Sequence, residues 1–464
     1  MKRFSKNFLS IVLSDAARRA LSFLAVAYLA RKIGTEGFGA VNVGLTVLSY
    51  GMMVSTAGLN FFGTREVARG TSAEIVRRLV GVRFINAIAA ILITVAVAVL
   101  FVSNPVSAKL MIVFSVSLLA HAFLLDWYFQ GKEEMTIIGV GRTVSALTYL
   151  LILVLFVRSM NDILLVAAGS VVGDFLSMSI LLRSYRIRGG SLGFRLDSGN
   201  WKSMMKQALP LGYGSILAHL SVNLPTVVLG IMMTNVDAGV YNAASKLVFF
   251  MLIMDRVSGT LLLPATARLF ADSLELLKSR LSEALKWIIV AILPVSLGGT
   301  LLASQLVLFV FGEQYSEAAP VFRVLIWYFF FTMIHTVYTS GLIAVGREKE
   351  YGKVMVVSAV LFAVSIIILT KMTGMIGTAV AVVFSEASTL VMMRQQFSKY
   401  VRFPLPRSAI RVLISAVIMG IVLFFMPPVH VILLIVLGGA VYVTILFITQ
   451  AVTMEEVSSL LKRA

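Results

Sequence analysis

The chain has 464 residues, of which 59% are hydrophobic and only 13% charged, with a mean hydropathy of +0.95. Soluble domains run about 45–50% apolar and about 25% charged, so a soluble globular chain and a disordered one are both excluded. The formal net charge is +18, and there is no cysteine, which removes disulfide frameworks, thiolate metal sites and cysteine nucleophiles together.

A membrane-crossing helix needs about 20 mostly apolar residues. About fourteen stretches meet that requirement: near 8–30, 40–62, 80–102, 107–128, 136–157, 162–183, 206–233, 239–262, 285–310, 319–343, 354–371, 374–393, 409–426 and 428–449. Their apolar runs are continuous rather than alternating, which argues against a membrane barrel. The first stretch follows Lys2, Arg3 and Lys6 and contains Ala25-Val26-Ala27, a small-residue pattern like that of a cleaved leader. Asp15, Arg18 and Arg19 interrupt its apolar region and mark it instead as a retained helix. The last two stretches are parted only by Pro427 and Pro428, which fits an antiparallel helical hairpin.

The cations sort by loop. With the N-terminus inside, the outer connections hold only Arg31, Lys32, Lys109, Arg158 and Lys371. Arg18, Arg19, Arg83, Arg142, Lys246, Arg256 and Arg323 lie within spans, and the rest of the 40 fall on inner segments. This excess places both termini in the cytoplasm. It also removes a nucleic-acid reading of the charge, because the cations are dispersed over many inner segments.

The chain resembles itself at an interval of about 200–215 residues, the signature of an internal transporter repeat. Gly39-Ala40-Val41-Asn42 matches Gly239-Val240-Tyr241-Asn242, and Ala68-Arg69 matches Ala267-Arg268. Gln130-Gly131-Lys132-Glu133 matches Val345-Gly346-Arg347-Glu348, and Gly173-Asp174 parallels Ser385-Glu386. A unit of six helices keeps both copies in one orientation, which predicts pseudo-two-fold symmetry about an axis along the membrane normal. The expected fold is an all-α polytopic membrane protein: a first lobe over 1–185, a basic linker over 186–205, a second lobe over 206–398, and a C-terminal helix pair with its tail over 399–464.

Several motifs carry a family resemblance. Ile33-Gly34-Thr35-Glu36-Gly37-Phe38-Gly39, Asp126-Trp127-Tyr128-Phe129-Gln130-Gly131-Lys132-Glu133, Phe311-Gly312-Glu313-Gln314-Tyr315 and Gly341-Leu342-Ile343-Ala344-Val345-Gly346-Arg347 recur in this order over nearly the whole chain. Together they resemble the O-antigen type of polysaccharide-unit flippase in the multidrug/oligosaccharidyl-lipid/polysaccharide exporter superfamily. Asn223-Leu224-Pro225 departs from the pattern, since many relatives carry an Asp there. The resemblance implies transport without bond chemistry: an isoprenoid-pyrophosphate-linked oligosaccharide moves from the inner to the outer leaflet of the plasma membrane by alternating access. It implies no cofactor beyond H+ or Na+ as a coupling ion, and a polysaccharide polymerase and glycosyltransferases as partners. A monomer is expected, because two lobes suffice for alternating access. A flippase for the peptidoglycan precursor and a multidrug/cation antiporter share the fold and are the alternatives. A membrane-embedded polymerase or glycosyltransferase would need a large catalytic loop, which the sequence does not provide.

Ionisable residues at membrane depth are costly and usually line a path. Asp15, Arg18 and Arg19 stand at helical spacing, so the acid faces both cations; Arg suits bidentate phosphate binding, and the pair is the candidate pyrophosphate clamp. Lys246 stands one turn from Asn242 on one face, and both are candidate substrate contacts. Arg83 and Arg142 divide evenly between cavity lining and snorkelling to headgroups. His219 matches Arg19 in the repeat and is a weaker cavity candidate. Asp174 and Glu386 occupy equivalent mid-membrane places and are the ion-coupling candidates; hydrogen bonding to a neighbouring helix is the competing role. Asp255 and Arg256 read equally as a local salt bridge or gate and as a ligand-binding pair, and Asp126 reads as holding its loop. The four histidines form no metal motif, and no catalytic constellation is visible.

Overall fold

The computed structural model describes residues 2–456 and 458, apart from 71–72, 192, 194–197, 405, 407 and 428. Side chains are described from Ala20 onward, except those of 73, 198–200, 211, 213–221, 256–257, 260–261, 263–265, 267 and 271–272. The described residues contain helix and no strand. Among the described residues, ten helices are long and apolar enough to cross a membrane by length and composition. Two of them, Ala20–Thr56 and Glu348–Phe397, each carry two of the predicted stretches, and Val222–Met232 and Ala409–Phe425 are shorter apolar helices.

By contacts the chain forms two compact units, Met1–Asn242 and Ala243–Ala464. These units are divided by contacts and not by the repeat, whose expected linker is 186–205; the helix from 198 packs on the first unit. There Asn223 Nδ2 donates to Ser49 Oγ at 3.2 Å, and a Cβ on Gly212 would lie 2.8 Å from the Gly58 Cα.

The first unit runs α1 (Lys2–Thr56), α2 (Leu59–Ala68), α3 (Ala73–Phe101), α4 (Pro105–Ser115), α5 (Ser117–Phe123), α6 (Asp126–Gly131), α7 (Met135–Phe156), α8 (Ile163–Ile187) and α9 (Ser198–Met232), and it includes the start of α10 (Asn235–Met251). α1 is two helices joined at Gly34, whose φ of 72° is left-handed, a conformation open to glycine at little cost. At the start of α4, Asn104 Oδ1 accepts from the Val106 and Ser107 amides at 2.9 and 3.1 Å, with Pro105 in the first turn where no amide is needed. The motif around Trp127 forms α6 and drives Trp127 and Phe129 into a buried cluster with Leu59, Leu79 and Tyr185. Tyr128 meets Tyr185 edge-on, centroids 4.8 Å apart.

The second unit continues with α11 (Ile253–Asp272), α12 (Leu274–Leu301), α13 (Ala303–Phe311), α14 (Ala318–Ala344), α15 (Glu348–Phe397), α16 (Ala409–Phe425) and α17 (Val431–Ile448). α15 also joins two helices, breaking at Thr373 and at Gly374, φ 61°; the Thr370 and Thr378 hydroxyls meet across the break at 2.7 Å. Phe311 and Tyr315 are fully buried on either side of Gly312, φ 91°. Large apolar side chains stand exposed along several helices, among them Leu92, Val99, Ile432 and Val436. A surface of this kind suits hydrocarbon and would be a liability in water.

The helix starting at Asn235 crosses α1 at unusually close range. A Cβ on Gly39 would meet the Asn235 carbonyl, and a Cβ on Gly239 would meet the Thr35 carbonyl. The asparagines that follow behave alike: Asn42 Nδ2 donates to Phe38 O at 2.8 Å and Asn242 Nδ2 to Ala238 O at 2.7 Å. The two matched sequence segments therefore lie directly against each other.

Candidate functional site

The first unit holds a cavity of about 730 Å3 walled by α1–α3 and α5–α9. It is polar for its setting. Arg83, His121, Asp126, Arg142, Asp174 and Tyr149 line it, with Asn60, Gln130 and hydroxyls from Ser22, Ser49, Thr56, Ser145, Ser170 and Ser177.

Each charged group is placed by the helix that carries it. α5 ends at Phe123, so its last carbonyls have no helical donor. Arg83, buried on α3, reaches across: Nη1 donates to Leu124 O at 2.8 Å, and Nη2 donates to His121 O. On α7, Arg142 donates through Nε and Nη2 to Asp126 Oδ2, at 3.2 and 2.7 Å. His121 Nε2 faces Asp174 Oδ2 at 3.5 Å, both side chains about one-fifth exposed. Asp174 lies near the middle of α8. Among the described residues, two cations and two carboxylates stand along this wall.

Four buried atoms of residues lining this cavity have no hydrogen-bond partner among the described residues: Asn60 Oδ1, Arg83 Nε, His121 Nε2 and Asp126 Oδ1. Buried polar atoms are rarely left so. They mark places where a water could complete the wall.

Of the sequence candidates, the structure brings Arg83, Arg142, Asp126 and Asp174 to one cavity. Arg142 sits in an ion pair, and Arg83 braces a helix end. Asp15, Arg18, Arg19, His219 and Arg256 have side chains outside the described residues. Asn242 is buried and also accepts from Thr226 Oγ1 at 3.3 Å. Lys246 is partly buried in the second unit. There, Asp255 Oδ1 accepts from the Thr336 hydroxyl, and Glu386 Oε1 lies 2.7 Å from His335 Nδ1.

His121, His335, Asn60 and Tyr149 are the wall and pair residues that sequence reasoning passed over. One signal could have found the histidines: they are separated along the chain by almost the same interval as Asp174 and Glu386.

The family described as "Polysaccharide biosynthesis protein" matches residues 4–270. Two curated relatives, from Shigella dysenteriae and Escherichia coli (strain K12), are both named "Putative O-antigen transporter". They are 23% identical over 403 residues and 22% over 411, each covering 84% of this chain and, respectively, 98% and 95% of the relative. Among solved structures, the lipid II flippase MurJ in an inward closed conformation is similar at TM-score 0.77 and 14% identity, over 94% of this chain and 97% of that one. An inward-facing multidrug-resistance MATE transporter of the MOP superfamily is similar at TM-score 0.65 and 14% identity, over 82% and 95%. The fold is therefore the one these flippases and exporters share, and the chain belongs to the polysaccharide biosynthesis protein family.

Proposed function

We propose that this protein moves an isoprenoid-pyrophosphate-linked oligosaccharide from the inner to the outer leaflet of the plasma membrane by alternating access. The observation that carries the reading is the polar cavity among helices of membrane-crossing length, in a chain whose curated relatives are named as O-antigen transporters. Sugar hydroxyls and a pyrophosphate need hydrogen-bond partners that hydrocarbon lacks. The serine and threonine hydroxyls, Asn60 and Gln130 offer them to the sugar, and a polyprenyl tail can remain in lipid.

In this reading the chain crosses the inner membrane fourteen times with both termini cytoplasmic, as its loop charges require. It works as a monomer without cofactor, makes and breaks no bond, and hands its cargo to a polymerase after glycosyltransferases have built it. Arg18 and Arg19, balanced by Asp15, hold the pyrophosphate; Lys246, Asn242 and His219 extend the path; Asp174 and Glu386 take the coupling ion, H+ or Na+. The test is complementation. A strain lacking its own copy regains surface polysaccharide when the wild-type gene is supplied, and the double variant Arg18→Ala with Arg19→Ala, present in the membrane at normal level, does not restore it. Normal export by that double variant removes the clamp, and failure of the wild type to complement removes the transport reading.

A second reading has one specific observation behind it: the TM-score of 0.77 to a lipid II flippase. Rescue of cells depleted of their own lipid II flippase would select it.

A further inference from the structure

The two histidine–carboxylate contacts are one feature made twice. His121 on α5 faces Asp174 on α8 at 3.5 Å, and His335 on α14 faces Glu386 on α15 at 2.7 Å. The carboxylates stand at repeat-equivalent positions, and the histidines obey nearly the same interval. The helix crossings beside them repeat as well: a Cβ on Gly173 would meet Ser145 O, and Ser385 Oγ donates to Ser358 O at 3.4 Å. In both copies the facing imidazole nitrogen is buried and has no hydrogen-bond partner elsewhere among the described residues.

Resting on the transport reading above, we propose that these two couples are the proton-binding sites of the transport cycle, one in each half of the repeat, and that the coupling ion is a proton and not Na+. With neutral imidazole and ionised carboxylate a couple carries one negative charge. Uptake of one proton from water makes it imidazolium–carboxylate, net neutral, and release returns that proton to water. A net charge is costly at membrane depth and a neutral couple much less so. Proton binding therefore changes which surroundings each couple tolerates. Sodium fits poorly: a hard cation wants several oxygen ligands, whereas each carboxylate here faces an imidazole nitrogen.

The neighbours are mixed in charge. Around the first couple, Arg83 comes from α3, Asp126 from α6, and Arg142 and Tyr149 from α7, while α1 lines the same cavity with Ser22, Ser49 and Thr56 among its described side chains. α4, also against α8, carries Lys109, which is exposed. Around the second, Asp255 of α11 acts on His335, and Tyr328 of α14 lies within electrostatic reach of Glu386 and Asp255. α12 carries Lys286, which is committed to Glu456 at 2.6 Å.

The experiment measures surface polysaccharide in the deletion strain, with wild type, His121→Gln, His335→Gln and the double Gln variant. Each is assayed across about pH 6–8, the range in which histidine couples exchange protons, with Na+ present or replaced by K+. Wild-type export is expected to vary with pH and to be indifferent to Na+. The double variant, at normal membrane level, is expected to lose about a hundredfold or more in export, the size of a lost proton-transfer group, and to show a flat pH profile. Each single variant should fall between. Wild-type export that requires Na+ overturns the proposal, as does an unchanged pH profile in the double variant. If the Gln variants do not accumulate, the Na+ arm on the wild type decides. Failure of the wild type to restore any polysaccharide indicts the transport reading itself, and so is distinguishable.

Discussion

Gly39→Ala and Gly239→Ala are small changes with large expected effects. A Cβ on Gly39 would lie 1.7 Å from Asn235 O and 3.0 Å from the Gly239 N; a Cβ on Gly239 would lie 2.0 Å from Thr35 O and 3.0 Å from the Gly39 N. Every obstacle is backbone, so no rotamer change relieves it. The helices must separate by roughly 1.5 Å before the contact becomes an ordinary van der Waals one. Overpacking of this kind costs about 1–3 kcal/mol. At about 2 °C per kcal/mol for a long chain, each variant should lower the apparent melting temperature of detergent-solubilised protein by about 2–6 °C, read by fluorescence size-exclusion after heating. The double variant should lose less than the sum, because one separation accommodates both methyl groups. Gly439→Ala is the control: nothing lies within 4 Å of its Cβ, so it should be neutral or slightly stabilising. Unchanged melting in both single variants, or full additivity in the double, would refute the crossing as described.

Three further outcomes are expected. Arg83→Ala removes the donor to the His121 and Leu124 carbonyls and should cost about 2–4 kcal/mol, seen as lost membrane accumulation; Arg83→Lys, which restores a single donor, should recover part of it. The costs of Asp126→Ala and Arg142→Ala should sum to more than the cost of the double variant, by a coupling of about 0.5–1 kcal/mol since the arginine is half-exposed; zero coupling in a thermal double-mutant cycle would dismiss the pair as stabilising. At the C-terminal tail, desolvation pushes the Glu456 carboxyl up, but the Lys286 ammonium and the Thr453 amide outweigh it and hold it below the usual range. A depressed carboxylate contributes above its unfolded pKa and stops contributing as pH falls through the folded one. Limited proteolysis should therefore release the tail at acid pH and not at neutral pH, and Glu456→Gln should release it at both.

Much of the architecture was legible because hydrocarbon imposes a simple pattern: long apolar runs, charge at the ends, Gly and Pro at the breaks. Each of the fourteen stretches overlaps helix among the described residues, although turns interrupt several and ten helices are long and apolar enough to cross a membrane. The breaks inside α1 and α15 fall at Gly34 and at Thr373-Gly374, between stretches the sequence had already separated. The unit boundary was not legible, since it follows from where α9 packs, and a close approach such as Gly58 to Gly212 leaves no local trace. The site was legible in part. Arg83, Asp126, Arg142 and Asp174 stand out as rare charges at depth, and depth alone selects them. What each touches was not readable: Arg142 finds Asp126 from a different helix, and Arg83 answers two carbonyls exposed by the end of α5. The histidines were passed over because a lone imidazole in an apolar run has no periodicity; only its partner across the helix interface gives it meaning.

The crossing at Gly39 and Gly239 also bears on how the two copies of the repeat constrain each other. The first copy's glycine faces the second's, and each lies under a carbonyl of the other's segment. Residue i touches j while j touches i, which is the isologous contact of a symmetric homodimer, here written within one chain. Such a surface must complement itself, so a bulkier residue in one copy cannot be absorbed by a smaller one opposite, where glycine is already the minimum. The two segments are therefore locked in composition to each other more tightly than either is to the helix that carries it.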